Sequence, residues 1–231
     1  DALILIGPDA ISSLANALSH NSPQVRSGAV LTLGTSGKSA GHLVPKIITL
    51  LDDDDAFVRA SAAEALGKLG PAARAAAPIL ARKLNDKVSR VRAAAVGGLG
   101  KTAGDDVTYA ALFATALNAD DASVRIAATR VLSKLPAIAT AAAENLVAAL
   151  VDEDEHVRSG AARALGVAGK DIASSVPALV QQLRDPVDEV RVEIVRALGA
   201  IGETTPGVIA ELGATIADPS PKVRRQGVLT L

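Results

Sequence analysis

Large apolar residues recur along the chain at one fixed interval, with small and charged residues between them. A Val-Arg pair returns every 33 residues, at Val25-Arg26, Val58-Arg59, Val91-Arg92, Val124-Arg125, Val157-Arg158, Val190-Arg191 and Val223-Arg224. Leu follows each Val by eight positions, and large apolar residues precede it by seven and by eleven. Spacings of four and eight place residues on one face of a helix, so each repeat is predicted to contain two short helices.

Proline, short polar residues and glycine mark the predicted helix ends. One position of the period suits the first turn of the first helix and holds Pro45, Pro78 and Pro177. The position three residues before Val suits the N-cap of the second helix and holds Ser22, Asp55, Asp121, Asp154 and Ser220. Glycines are predicted to end the second helix, in a first set at Gly34, Gly67, Gly100, Gly166 and Gly199 and a second at Gly37, Gly70, Gly169 and Gly202.

A single helical pair cannot bury its apolar face, whereas stacked pairs share a continuous core. The chain is therefore predicted to be all-α, as one array over residues 1–231. The expected repeats are residues 8–37, 38–70, 71–103, 104–136, 137–169, 170–202 and 203–231, the last incomplete. Residues 1–7 are expected to be the end of a truncated repeat, because Leu3 to Gly7 resembles Leu66 to Gly70. Both ends fall inside a repeat, which favours a segment of a longer array.

Composition narrows the class of protein. The chain is 49% hydrophobic but 1% aromatic, and its 24 basic residues nearly balance 25 acidic ones. The lack of Cys excludes disulfides, thiolate metal sites and Cys nucleophiles, and it fits a reducing, cytoplasmic setting. No apolar run approaches the length of a membrane span.

The clearest copy of the repeat runs from Asp53 through Val58-Arg59 to the Ala-rich stretch ending at Leu66-Gly67. This pattern resembles the HEAT repeat, in particular short bacterial HEAT-like repeats of the bilin-lyase type. The resemblance implies a right-handed α-solenoid, an armadillo-like superhelix whose second helices line the concave face. It also implies a structural ladder of carboxylates and guanidinium groups in adjacent repeats, formed by Asp53, Asp86, Asp152, Asp185 and Asp218 with Arg26, Arg59, Arg92, Arg125, Arg158, Arg191 and Arg224.

The acidic run Asp52 to Asp55 lacks the alternating ligands, central Gly and final Glu of a calcium-binding loop. Within the period, Asp53 is the ladder residue, Asp55 the expected cap, and Asp52 and Asp54 are expected to be solvated. None of His20, His42 and His156 precedes Glu, unlike the His-Glu pairs of the HEAT-repeat hydroxylases that hold di-iron. Nucleophile elbows, phosphate loops and zinc motifs are also absent, so we expect no catalytic residue, metal or cofactor.

Basic residues recur on the second helix at positions that the core does not use. Six residues after Val lie Arg130, Arg163 and Arg196, and ten residues after Val lie Lys68, Lys101 and Lys134. We expect them to form a basic tract on the concave face, near small residues that would let a partner backbone approach. Ordinary solvated charge explains the same pattern equally well.

These observations favour a non-enzymatic protein-binding scaffold that presents a curved second-helix surface to a protein or peptide, in particular an acidic one. Self-association within a larger assembly is a structural variant of that prediction. Two alternatives stay open, namely a subunit resembling the HEAT-like bilin lyases, and nucleic-acid or polyanion binding by the basic tract. The near absence of aromatic residues disfavours nucleic acid, because no side chains interleave to stack on bases.

Overall fold

The computed structural model describes residues 8–231, and over that range the regular structure is helical, without strands. This confirms the all-α class predicted from the spacing of apolar residues. The chain forms two compact units, the first ending at Gly104 and the second running from Asp105 to Leu231. The predicted truncated repeat at 1–7 lies outside the described residues, and the division into seven repeats of one array stays a prediction.

In the first compact unit, three helical pairs follow one another along the chain. Their helices are α1 (Pro8–Ala17) with α2 (Pro23–Thr35), α3 (Val44–Thr49) with α4 (Ala56–Leu69), and α5 (Ala77–Lys83) with α6 (Ser89–Ala103). The second helices pack side by side, α2 on α4 and α4 on α6. Each first helix packs on the second helix of its own pair, as α5 does on α6.

The second compact unit contains four pairs, in one of which two short helices replace the single first helix. Its helices are α7 (Ala110–Leu117) with α8 (Ala122–Leu132), α9 (Pro136–Ala141) and α10 (Ala143–Ala149) with α11 (Glu155–Ala168), α12 (Val176–Gln181) with α13 (Asp188–Ile201), and α14 (Pro206–Ala214) with α15 (Pro221–Thr230). The second helices again form one layer, with α8 on α11, α11 on α13 and α13 on α15.

Most first helices change from 3-10 to α geometry along their length. Segments of 3-10 helix precede or follow them at Gly37–Leu43, Leu50–Asp52, Gly70–Ala76, Val107–Tyr109, Gly169–Ser175, Gln182–Arg184 and Thr215–Ala217. Pro45, Pro78 and Pro177 are the second residues of α3, α5 and α12, as predicted. A proline has no N–H and is tolerated in the first turn, where that group has no intrahelical acceptor.

The periodic apolar residues form the core. Val58, Val91 and Val157 are fully buried, as is the Leu eight residues after each of them. Between these large side chains the second helices carry buried alanines such as Ala62 and Ala161, which allow the helices to lie close together. Three members of the periodic set, Val25, Ile216 and Leu231, lie in the first and last pairs and are exposed, and three others, Leu14, Leu84 and Leu183, are half-buried.

The two sets of glycines have different roles, which corrects the prediction that both end the second helix. Gly37, Gly70, Gly104, Gly169 and Gly202 have positive φ and follow the ends of second helices. The glycines that follow the last Leu of each repeat, such as Gly34 and Gly67, lie inside the second helices instead. At Gly34 a Cβ would lie 2.7 Å from the Ala65 Cα, and at Gly67 it would lie 2.9 Å from the Gly98 Cα. These glycines are needed because the neighbouring backbone occupies the space of a side chain.

The predicted N-caps also divide into two groups. Asp55, Asp121 and Asp154 each accept hydrogen bonds from backbone N–H groups of the first turn, which confirms them as caps. Ser22 and Ser220 stand at the N-cap position but their hydroxyls make no cap hydrogen bond, so the prediction is wrong for their side chains. The hydroxyls instead act as donors, to the Gln24 amide oxygen at 2.6 Å and to an Asp188 carboxylate oxygen at 2.8 Å.

Candidate functional site

The second helices carry the predicted ladder at their N-terminal ends. In the first compact unit, Arg26 donates from Nε and Nη2 to the two carboxylate oxygens of Asp53, both at 2.7 Å. Arg59 contacts Asp86 in the same way, at 2.8 and 3.1 Å. In the second unit, Arg158 pairs with Asp185 and Arg191 pairs with Asp218, each through two hydrogen bonds. Each pair therefore joins neighbouring repeats of one compact unit.

Arg125 pairs with Asp152 less regularly. Its Nη2 donates to Asp152 Oδ1 at 3.0 Å and to Glu153 at 3.1 Å. Its Nε lies 2.8 Å from Asp152 Oδ2, but the angle is too poor for a hydrogen bond and this buried nitrogen has no other acceptor. Because the angle decides whether a close contact is a hydrogen bond, we regard the pair as held by Nη2.

The ladder also closes the turn between the two helices of each repeat. Arg59 Nη1 donates to the carbonyl oxygens of Asp53 and Asp54, at 2.9 and 3.0 Å. Asp53 Oδ1 in turn accepts from the Asp55 N–H at 2.9 Å. Its hydrogen bond from Arg26 holds the pKa of the Asp53 carboxyl below its usual value, against the opposing effect of burial. These contacts account for the polar groups of the turn without a ligand.

Two ladder arginines make turn contacts without a carboxylate partner among the described residues. Arg92 donates to the carbonyl oxygens of Asp86 and Lys87, and the sequence has Ala119 at the position that holds Asp in five other repeats and His20 in the first. Arg224 donates to the carbonyl oxygens of its own turn. The aspartate position, unlike the arginine position, is therefore not filled in every repeat.

The acidic run divides into separate contacts. Besides the roles of Asp53 and Asp55, Asp52 lies 2.6 Å from Lys83 Nζ, so it is paired rather than merely solvated as predicted. Asp54 is exposed, and its carbonyl accepts from Arg59. Across residues 8–231, no group of three or more His, Cys, Asp or Glu side chains has a geometry that could hold a metal ion.

The predicted basic residues of the first compact unit lie near the C-terminal ends of the second helices. Lys68 is in the last turn of α4 and pairs with Glu64 one turn earlier, at 2.8 Å. Lys101 is in the last turn of α6 and is exposed. Near the N-terminal ends of these helices, Arg90 lies 5.4 Å from the ring centroid of half-exposed Phe57, a cation–π contact.

In the second compact unit, one buried carboxylate organises two of the predicted arginines. Glu193 on α13 is 9% exposed at its side chain and accepts from Arg163 of α11 at 3.1 and 3.2 Å. It also accepts from Arg196, one turn later, at 2.9 Å. The hydrogen bond to Glu193 holds the pKa of the Arg163 guanidinium above its usual value. These two arginines are thus partly neutralised.

Glu193 is not among the residues predicted to form the site, although its position in the repeat is unusual. Its position, three residues after Val, is small in most repeats, so a Glu there departs from the pattern. The same position in the next repeat holds Gln226, whose amide oxygen accepts from Arg196 at 3.0 Å. An arginine on one second helix therefore reaches the side chain at this position on the next.

Arg130 and Lys134 differ from the other members of the predicted tract in the second unit. Both are exposed, and no ion pair or side-chain hydrogen bond joins either to another residue in the described part of the chain. Arg130 lines a groove of about 330 Å³ between α8 and α11, together with Thr129, Ser133, His156, Ser159, Gly160, Ile126 and Arg163.

No helix within residues 8–231 combines the length and apolar character needed to cross a membrane.

Comparison with known proteins identifies the family. The family model for HEAT repeats matches residues 11–100, 44–133, 109–175 and 143–231, which together cover nearly the whole chain. The chain therefore belongs to the HEAT repeat family, as its resemblance predicted. Its fold is accordingly an all-α solenoid of helical repeats.

Solved structures agree with this fold. One crystal structure, of an engineered protein from the Northeast Structural Genomics Consortium, matches with a TM-score of 0.67 and 23% identity, over 83% of this chain and 96% of that one. A second engineered protein from the same consortium matches with a TM-score of 0.72 and 21% identity, over 99% of this chain and 69% of that one. Identities this low are evidence of the fold alone. No curated protein matches the chain.

Proposed function

We propose that this repeat scaffold is non-enzymatic and binds an acidic protein or peptide on the surface formed by its second helices. The observation that carries the proposal is the pair of exposed cations Arg130 and Lys134, for which the described chain supplies no carboxylate. Such cations attract an acidic partner and favour its correct orientation. A cytoplasmic setting belongs to the same proposal, since it suits a chain without Cys.

Small residues beside these cations support a close approach by the partner. Gly160 and Ser159 on α11 line the groove next to Arg130 and contribute only small groups to it. A pre-formed helical surface also binds with little ordering of its own backbone, so less binding free energy is lost on association. The proposal therefore assigns binding to a rigid surface rather than to a mobile loop.

The experiment compares two charge-reversed variants of the full chain in affinity capture. Arg130→Glu with Lys134→Glu alters the proposed surface. Lys46→Glu with Arg82→Glu makes the same change in net charge on exposed residues of α3 and α5. Proteins retained by the wild type and the control, but lost from the first variant, are expected to carry an acidic segment. Equal retention by all three proteins, or equal loss from both variants, would contradict the proposal.

Nucleic-acid binding requires the same cations but is less well supported. Glu193 already engages Arg163 and Arg196, which reduces the positive charge available to a phosphate backbone. A salt-dependent mobility shift of single- or double-stranded nucleic acid, abolished in the variant with Arg130→Glu and Lys134→Glu, would favour that alternative over an acidic protein.

A further inference from the structure

The second helices of the second compact unit repeat one side-chain contact. An arginine six residues after Val reaches the residue three after Val on the next second helix. Arg163 reaches Glu193 in this way, and Arg196 reaches Gln226. Arg130 is the earlier member of the series, and the corresponding position on α11 is Gly160. The helix that faces Arg130 therefore offers no side-chain acceptor where the next two helices offer one.

Close packing explains why the acceptor is missing. A Cβ at Gly160 would clash with the hydroxyl of Thr129 on α8 and would lie 2.7 Å from the Thr129 Cβ. Thr129 is buried, so it cannot move into solvent to make room. Any residue larger than Gly at 160 would therefore require the buried Thr129 side chain or its helix to shift, which disfavours a carboxylate opposite Arg130 at this position.

The resulting groove is lined by hydrogen-bond donors and by cations. Arg130 and Ser133 come from α8 and the turn after it, and His156, Ser159 and Arg163 come from α11. None of the residues that line the groove is Asp or Glu. An arginine presents a planar fork of N–H donors that matches a carboxylate through two parallel hydrogen bonds. The groove therefore complements a carboxylate in both charge and geometry.

A neighbouring groove provides an internal comparison. Between α13 and α15 lies a groove of about 310 Å³ that also contains basic side chains, among them Arg196 and Lys222. There the chain supplies the acceptors itself, because Lys222 pairs with Glu189 at 2.7 Å and Arg196 with Gln226 at 3.0 Å. The two grooves have similar volumes, but Arg196 meets the Gln226 amide oxygen in the second groove, whereas Arg130 meets no such acceptor in the first.

We propose that the groove between α8 and α11 binds a glutamate side chain of a partner protein, with Arg130 as the principal binding residue. The ligand carboxylate takes the place opposite Arg130 that the Glu193 carboxylate takes opposite Arg163 one repeat later. This inference rests on the proposed function and adds the ligand group and the residue that binds it. The occupant is assigned as a glutamate side chain on a protein segment, because the carboxylate that fills the equivalent place one repeat later is that of a glutamate, Glu193.

The test measures binding of a capped hexaglutamate peptide to the full chain at an ionic strength of about 0.15 M, where the Debye length is about 8 Å. Titration is followed by the NMR signals of the arginine Nε–H groups, and the Kd comes from fluorescence anisotropy. We expect the Arg130 signal to shift on binding, and Arg130→Gln to weaken binding by about tenfold or more, the effect of losing a charge-assisted hydrogen bond. Arg130→Lys keeps the charge but loses the fork, so an intermediate weakening is expected.

The matched control is Arg184→Gln, which removes one charge from an exposed arginine of the same compact unit. Its Kd is expected to stay within about twofold of the wild type, because separated surface charges are largely screened. A capped hexaglutamine peptide is expected not to shift the Arg130 signal. Circular dichroism and thermal melting of each variant establish that it is folded.

Equal weakening by Arg184→Gln and Arg130→Gln would overturn the site in favour of general charge attraction. An unshifted Arg130 signal at saturating hexaglutamate would also overturn it. If the peptide fails to bind while the capture experiment still depends on Arg130 and Lys134, the carboxylate site is wrong and the scaffold proposal stands. If the peptide binds at Arg130 but capture is the same for all variants, the proposed function fails instead.

Discussion

The ladder residue Asp53 provides a quantitative test of how neighbouring repeats are joined. Replacing Asp53 by Ala removes two hydrogen bonds from Arg26, both at 2.7 Å, and one from the Asp55 N–H at 2.9 Å. The Asp53 and Arg26 side chains are only 8% and 16% exposed, so solvent screens the pair weakly. Arg26 keeps its hydrogen bonds to two turn carbonyls, which limits the loss. We expect unfolding free energy to fall by about 2–4 kcal/mol.

The matched control is Asp54→Ala in the same acidic run. Asp54 is exposed, and its contact to Arg59 uses the carbonyl group, which alanine retains. Its effect is expected to stay within about 0.5 kcal/mol. Urea denaturation followed by circular dichroism gives the free energies by linear extrapolation. A thermal scan is expected to show Tm lower by roughly 5–15 °C for Asp53→Ala.

Two results would refute this account of the acidic run. The first is a loss of stability in Asp53→Ala no larger than in Asp54→Ala, which would mean that the ladder contributes little. The second is a rise in Tm with calcium or magnesium that disappears in Asp52→Asn or Asp54→Asn. Such a rise would identify a divalent-ion site in residues whose contacts we explain without one.

Three further predictions concern single positions. Gly34→Ala is expected to lower the free energy of unfolding by about 1–3 kcal/mol, because its Cβ meets a neighbouring backbone. Gly28→Ala in the same helix has open space around it and is expected to be neutral or stabilising. Thermal melts compare the two variants. Asp154→Ala removes a cap and is expected to lower unfolding free energy by about 0.5–2 kcal/mol, with Ser22→Ala, which removes no cap hydrogen bond, changing it far less in urea titrations. The hydrogen bond from Arg191 holds the pKa of Asp218 below its unfolded value of about 3.9. The stabilisation from this pair is therefore fully present above that pH and is lost as pH falls through the lower folded pKa. Asp218→Asn is expected to flatten the acidic part of a curve of unfolding free energy against pH, and an unchanged curve would contradict the pairing.

Features that repeat with the period were predictable from sequence. The buried Val58 and Leu66, the prolines in the first turns and the Asp caps all follow from local rules of helix geometry and capping. These rules depend on residues a few positions apart. They therefore apply before any tertiary contact is known.

Features that depend on which helices touch were not predictable in the same way. Gly34 and Gly37 look alike in sequence, but the first faces the Ala65 backbone and the second has a φ of +59°. Likewise, the arginine series suggested a uniform basic tract. In the structure, Glu193 engages Arg163 and Arg196, whereas Arg130 faces a glycine.

The sequence by itself determined the helical class, the 33-residue period and the family, because apolar spacing and capping are local properties and the same local pattern recurs in every repeat. Only the tertiary structure decided which charges are neutralised, because contacts such as Arg26 with Asp53 and Arg163 with Glu193 join residues 27 and 30 positions apart. The approach of α8 to α11 leaves no room for a side chain at Gly160. Because of that close approach, Arg130 has no side-chain acceptor on the next second helix, whereas Arg163 and Arg196 each have one.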